Sequence, residues 1–320
     1  MTNYAASSMP PRSPLEMSPQ TFSTVRSTGP IKRCWRASDL IWRLSAFIPT
    51  AVLSVFLCVS IKRYLDLGGV AVFEAVAPDS PPGAAMDVAL LMPVYIEAPW
   101  AVFGNASAML KALTGPNDPN RYSLFILSDT SDPAIAAQEE RAFAALQAEA
   151  LPGVAVHYRR RAENTDKKVG NIYDWIENWG AAYEAMVVLA ADSLMSGEAI
   201  RQLVQALGAD PDAGLIQSRP TLIGASTLFG RVQQFSNSVY GWLLAEGLDS
   251  WAQQEGNYWG HNAIIRTRAF AQSARLPYLK GRGGTAHLTL SHDFVEAGML
   301  RRAGWGVRFL PRVAGSYEET

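Results

Sequence analysis

From residue 88 to 218 the chain repeats one pattern: a short, unbroken apolar run ends in a polar residue and is followed by a stretch with helical spacing. Val88–Val94 is the first run, and Tyr122–Leu127, ending in Ser128-Asp129, is the second. Val154–Tyr158 and Met186–Leu189 repeat it, and Gly214–Ile216 is a short fifth. A strand that is apolar at every position has both faces buried, which is the signature of a parallel sheet under helices. Asp132-Pro133 supplies an N-cap and a proline at the first helical position, opening an Ala-rich helix to about Ala150. Ser196 caps a second helix that runs to about Leu207. The alternation therefore predicts an α/β fold, a mostly parallel sheet with helices on both faces. Such sheets bind ligands at the carboxyl ends of their strands. The polar residues to examine are Glu97, Asp129, Asp192 and a loop over Lys167–Asn171.

After residue 227 the pattern changes. Residues 227–255 predict one or two helices rich in aromatics, and Tyr258–Ile265 predicts a turn entering a strand. Asp293–Ala303 predicts a helix capped by Ser291, with Asp293 at its positive end, Arg301-Arg302 at its negative end and Gly304 as its stop.

The first 87 residues are of a different kind. Residues 1–30 contain 6 Ser, 4 Thr and 5 Pro, too few apolar groups to offset the entropy of ordering, so disorder is expected over 1–40. Residues 44–61 are 18 uncharged positions, close to one bilayer-spanning helix. Arg43 and Lys62-Arg63 flank that run, and Trp42 and Tyr64 stand at interface positions, so 41–64 predicts a transmembrane helix. Residues 65–87 read as a Pro- and Ala-rich linker, leaving 88–320 as the folded domain. The net charge of −1 argues against bulk electrostatic binding of nucleic acid, and two cysteines without a CxxC pattern exclude a disulfide scaffold or a Cys-rich zinc module.

No serine-hydrolase elbow, P-loop, HExxH or GxGxxG is present. What remains is a set of acidic residues at strand ends and a lysine pair, which suits a metal-bridged diphosphate. Asp192 can hold a divalent cation, Lys168 can place a point charge on a phosphate, and Asp293 can accept a proton from an incoming hydroxyl. Each residue has a plainer alternative. A strand-end Asp also serves as a turn residue, and Lys167-Lys168 also suits a solvated pair. Asp293 also suits a helix start, Trp259 core packing, and His261 a bond to a backbone carbonyl.

Seven segments in order carry a resemblance: PVYIE (93–97), ILSD (126–129), RRR…KKVGN (159–171), VVLAADS (187–193), YWGHNAIIR (258–266), LSHDFVEAGMLRRAGWGV (290–307) and GSYEE (315–319). Together they resemble the glucans biosynthesis glucosyltransferase H family, inner-membrane processive family-2 glycosyltransferases that make the backbone of osmoregulated periplasmic glucans. The resemblance implies a GT-A, Rossmann-like domain over about 88–320, UDP-glucose as donor, a growing β-glucan as acceptor, Mg²⁺ or Mn²⁺, and inversion at the anomeric carbon. It implies uridine contacts at Glu97 and Asp129, a diphosphate contact at Lys168, and the last Asp of the metal motif at Asp192. Asp293 would be the general base, and Trp259, Gly260, His261 and Asn262 would form the acceptor side. It also implies a bacterial inner-membrane location with the catalytic domain in the cytoplasm. The +4 charge of residues 1–43 sits uneasily with that orientation.

The sequence departs from that family at three points. The metal motif D-x-D reads Ala190-Ala191-Asp192, so its first carboxylate is missing. Ile96 replaces the Asn expected before Glu97, and a single apolar run stands where the family has a pair of membrane helices. The sequence given ends at Thr320, before the family's Q-x-x-R-W motif. The expectation is a weak or inactive glucosyltransferase, with a non-catalytic UDP-sugar-binding remnant and a different processive β-glucan synthase as alternatives.

Overall fold

The strands of the apolar runs pair side by side, because each has two faces that must leave water. The computed structural model describes residues 85–113, 118–149, 153–280, 286–289 and 291–319. The expectations placed on 1–40, 41–64 and 65–84 lie outside the described residues, and among those described no helix is long and apolar enough to cross a membrane.

The first half alternates strictly: β1 (Asp87–Val94), α1 (Pro99–Leu113), β2 (Arg121–Ser128), α2 (Pro133–Ala148), β3 (Val154–Arg160), α3 (Lys167–Trp179) and β4 (Ala185–Val188). Then come β5 (Leu194–Met195), α4 (Gly197–Ala209), β6 (Ala213–Ser218), β7 (Thr221–Ile223) and α5 (Leu228–Ala252). The chain continues through β8 (Ala263–Arg266), α6 (Thr267–Ser273), β9 (Leu279–Lys280), β10 (Ala286–His287), α7 (His292–Arg302), β11 (Gly306–Leu310) and β12 (Ser316–Glu319).

Seven strands form the main sheet in the order β11-β6-β8-β4-β1-β2-β3. Within it β8 alone runs antiparallel to its neighbours, β4 and β6. Alternate residues of β1 feed two cores. Val88, Leu90 and Met92 pack under α1 and α4 with Phe103, Leu110, Ile200 and Leu203. Ala89 and Leu91 face the other way, toward Trp175 of α3, Phe270 of α6 and Leu300 of α7. A three-stranded sheet, β5-β12-β7, lies beyond the carboxyl ends of the main strands. Asn262, fully buried, ties it to the main sheet: its amide donates to Ser316 Oγ and to the Tyr317 carbonyl, both at 3.1 Å.

The helix expected from Asp132-Pro133 forms as α2, with Asp132 Oδ1 accepting from the Ala134 and Ile135 amides. Ser196 caps α4 by accepting from the Ala199 amide, and residues 228–252 form one helix rather than two. Two local expectations need correction. Lys167–Asn171 is the first turn and a half of α3, not a loop. Gly170 and Asn171 resemble loop residues, yet Val169, Ile172 and Trp175 bury one helical face, and a Cβ at Gly170 would lie 2.1 Å from the Thr165 carbonyl oxygen. Ser291 stands at the N-cap of α7 without a side-chain cap bond, and the neighbouring Asp293 accepts from the Phe294 amide instead.

Topology decides where ligand can sit. The chain runs from β1 outward through β2 to β3, then returns to place β4 on the other side of β1. The connections after β1 and β4 therefore part from each other and leave a crevice at the carboxyl edge. The β1 side of that crevice carries a strained residue, Ile96, at φ +56°. A β-branched side chain in the left-handed region costs on the order of 1 kcal/mol, whereas Asn tolerates it. Ile96 is 42% exposed, so little burial is lost on replacement. Ile96→Asn is expected to raise unfolding free energy by about 1 kcal/mol in urea titration, with an unchanged denaturant slope.

Candidate active site

A hollow of about 680 Å³ opens at that crevice. Pro93, Val94, Tyr95 and Glu97 form the wall after β1, Asp129 the floor after β2, and Ala190, Ala191 and Asp192 the wall after β4. Asn164, Lys167, Lys168 and Asn171 close it from the start of α3. The four residues expected at the nucleotide-sugar side, Glu97, Asp129, Lys168 and Asp192, thus line one cavity.

Asp129 is nearly buried and is gripped by Arg161, whose Nε and Nη2 donate to its two oxygens at 2.7 Å each. Such a fork-to-fork pair fixes the plane of the carboxylate and leaves lone pairs for a further donor. Arg161 also donates to the Lys167 carbonyl, joining the floor to the first turn of α3. Asn171 donates to the Leu127 carbonyl and accepts from Arg159, which holds the same turn against the ends of β2 and β3.

Lys168 is the electrostatic centre. Its Nζ donates to the Gly260 carbonyl at 2.8 Å. Dense surrounding atoms lower its pKa to about 8, against the opposing pull of Glu296, Asp192, Asp293 and Glu318. Those four carboxylates come from the β4 turn, α7 and β12, so three distant parts of the sequence meet around one ammonium. Asp293, half-buried, does not line the hollow itself but borders Gly260: a Cβ there would lie 3.4 Å from Asp293 Oδ2. Gly260 has φ +87°, a conformation that suits glycine and that aims its carbonyl at Lys168.

The other residues expected on the acceptor side divide. Trp259 is half-buried and packs on Phe309 at 5.0 Å between ring centroids, while its amide donates to Gln217. His261 Nε2 lies 3.4 Å from Glu318 Oε1, and this contact holds the Glu318 carboxyl below its usual range. His261 Nδ1 is buried with no hydrogen-bond partner. Asn262 is committed to β12, and none of Trp259, Gly260, His261 and Asn262 lines the hollow itself. Arg161, Glu296 and Glu318 carry much of the site's electrostatics and were not singled out from sequence. The only signal available was their place in the RRR, LSHDFVEA and GSYEE segments.

Among the described residues no group of three or more His, Cys, Asp or Glu side chains can hold a metal ion. The hollow offers two exposed carboxylates on facing walls, Glu97 after β1 and Asp192 after β4, the latter beside the methyl groups of Ala190 and Ala191. That set fits a divalent cation only when most of its oxygen ligands arrive with a diphosphate and water.

Residues 90–273 match the model of Glycosyl transferase family 2, more than half of the chain, and the chain belongs to that family of glycosyltransferases. It is similar to the glucans biosynthesis glucosyltransferase H of Shewanella sp. strain ANA-3 and of Shewanella oneidensis, 50% identical to each over 231 residues. The alignment covers 72% of this chain and 32% of each relative, so the chain spans about a third of the length of the curated relatives it matches. Among solved structures it is similar to the mannosyltransferase PcManGT from Pyrobaculum calidifontis in complex with GDP-Man and Mn²⁺, with a TM-score of 0.49 at 16% identity, over 83% of this chain and 68% of that one.

The low pKa of Lys168 has two consequences of opposite sign. Between about 8 and 10.5 the unfolded chain holds this proton and the folded chain does not, so the lysine makes the fold more stable as pH rises through that window. In the folded chain its charge is lost around pH 8, so any affinity for a diphosphate that rests on this charge should fall about tenfold from pH 7 to 9. Calorimetry with inorganic pyrophosphate at both pH values tests this. Lys168→Met should remove that fall while leaving the protein folded.

Proposed function

We propose that this chain is a UDP-glucose-dependent inverting glucosyltransferase that works on the β-glucan backbone of osmoregulated periplasmic glucans. The observation that carries the proposal is the meeting of Asp192, Asp293 and Glu318 around Lys168 beside a hollow floored by Asp129. Transfer of a sugar with inversion needs charge compensation on the leaving diphosphate and a base on the opposite side of the anomeric carbon. Lys168 and Asp192 meet the first need. Asp293, on a different element and across the Gly260 carbonyl, meets the second.

In this scheme Glu97 and Asp129 hold the uridine, with Asp129 preset by Arg161. Asp293 takes the proton of an acceptor hydroxyl as that oxygen bonds to C1 of glucose. The bond from C1 to the diphosphate oxygen breaks, and the electron pair leaves on UDP beside Lys168. Trp259, Gly260 and His261 border the acceptor's approach. A Mg²⁺ or Mn²⁺ ion held by Asp192 and the donor's own oxygens would add positive charge at the leaving group. The apolar run at 44–61 supports a membrane-anchored protein with this domain on the cytoplasmic side of the inner membrane, where UDP-sugars are made.

Ala190 favours a second reading, a UDP-sugar binder with little or no turnover, because one carboxylate holds a divalent ion more weakly than two. UDP-glucose turnover by the purified chain with Mn²⁺ separates the two. The expected result is weak transfer that Asp293→Asn lowers by about a hundredfold. Binding without any turnover would replace the enzyme by the binder. Ala190→Asp should strengthen Mn²⁺-dependent UDP binding by about tenfold in calorimetry, and an unchanged affinity would remove Ala190 as the cause of weakness.

A further inference from the structure

One buried carboxylate stands behind the hollow rather than in it. Glu139, on α2, is 2% exposed. The Ser128 and Tyr158 hydroxyls donate to its Oε2 at 2.7 and 2.9 Å, and the Thr130 hydroxyl donates to its Oε1 at 2.6 Å. Packing alone does not explain a carboxylate here, because burying one costs several kcal/mol before its hydrogen bonds are counted, on the order of what an apolar side chain would avoid. Its distinctive property is that an ionised carboxylate only accepts.

That property sets the direction of every bond around it. Ser128 and Thr130 each have one hydroxyl proton, and both are given to Glu139. Their lone pairs are then turned toward the backbone. Ser128 Oγ accepts from the Thr130 amide at 3.1 Å, and Thr130 Oγ1 accepts from the Ile96 amide, also at 3.1 Å. The first bond brackets Asp129. The second reaches across from β2 to the turn after β1 and holds Ile96 in its left-handed conformation, one residue before Glu97. Ser128 and Thr130 are fully buried, so water does not stand in for either acceptor.

We propose that Glu139 is a positioning residue for the nucleotide end of the cleft: it orients the Ser128 and Thr130 hydroxyls so that they fix the two turns carrying Asp129 and Glu97. This inference deepens the donor-site reading above and rests on it. It makes the uridine wall depend on a side chain that touches no ligand.

Glu139→Gln keeps the shape of the side chain and tests its polarity. The amide puts an NH₂ where one acceptor oxygen stood, so at least one hydroxyl must accept from it and turn its own proton elsewhere, which disturbs the bond its oxygen makes to a backbone N–H. Thr130→Val removes the link to Ile96 at nearly constant volume, and Thr130→Ser retains the hydroxyl. Hydrogen exchange of the Ile96 and Thr130 amides is measured on the full chain, together with UDP affinity by calorimetry. Glu139→Gln and Thr130→Val should speed exchange at one or both amides and weaken UDP binding by about tenfold, with thermal unfolding still cooperative. Thr130→Ser should recover both readouts relative to Thr130→Val. Unchanged exchange in both Glu139→Gln and Thr130→Val overturns the proposal, and so does faster exchange with unaltered UDP affinity. If Glu139→Gln does not fold, the contrast between Thr130→Val and Thr130→Ser decides by the same readouts. A parent chain that protects both amides yet does not bind UDP overturns the donor-site reading instead.

Discussion

A sheet buried on both faces cannot carry polar side chains along its strands, so its chemistry is forced to the ends. The central strands here obey this strictly. Every residue from Val88 to Met92 and from Ala185 to Val188 is at 0% exposure. The polar groups gather where those strands stop. β1 hands over to Tyr95–Glu97, β2 to Ser128–Thr130 and β4 to Ala190–Ser193. Because β4 inserts on the far side of β1 from β2, the first and third of these turns diverge. The hollow between them is a product of strand order, and it exists whatever residues line it.

Charge then organises what topology has opened. Lys168 enters from the amino end of α3, and its ammonium lies in the field of carboxylates on the β4 turn, α7 and β12. Desolvation works against the charged lysine while the carboxylates and the Gly260 carbonyl favour it. The ammonium is thus held in place by the Gly260 carbonyl rather than swinging as a mobile surface lysine. At the end of β2 the same logic runs through Arg161, which fixes Asp129, and through Glu139, which orients the hydroxyls on either side of it. The cleft is thus preorganised from behind by groups with no direct access to ligand.

Two positions stand out in the turns that border the hollow. Ile96 occupies a left-handed turn that favours Asn or Gly, and the bond from Thr130 to its amide is what holds it there. Ala190 keeps the backbone of the β4 turn, with its amide donating to Ser193 Oγ, but brings no oxygen to the cavity. The scaffold therefore survives without a carboxylate at position 190.

Local pattern determined a good deal of this protein. The five apolar runs, the Asp132-Pro133 and Ser196 helix starts and the stop at Gly304 depend on nearest neighbours and on periodicity, and so could be read in one dimension. Glu97, Asp129 and Asp192 were legible for the same reason: each is the polar residue at the end of an apolar run. Other features needed the folded chain. Lys167–Asn171 looks like a loop because Gly170 and Asn171 are loop-favouring residues, and it is helical because Val169, Ile172 and Trp175 bury one face against the folded core. Asn262 looks like a cleft residue but faces β12, since which way a side chain points after a strand turn depends on the partner sheet. Glu139, Glu296 and Glu318 are ordinary acids in sequence, separated from their partners by helices. Only the tertiary structure decides that one of them accepts hydrogen bonds from three hydroxyls and that the other two lie in the field of one lysine, because a charge acquires its role from the groups packed around it and not from its neighbours along the chain.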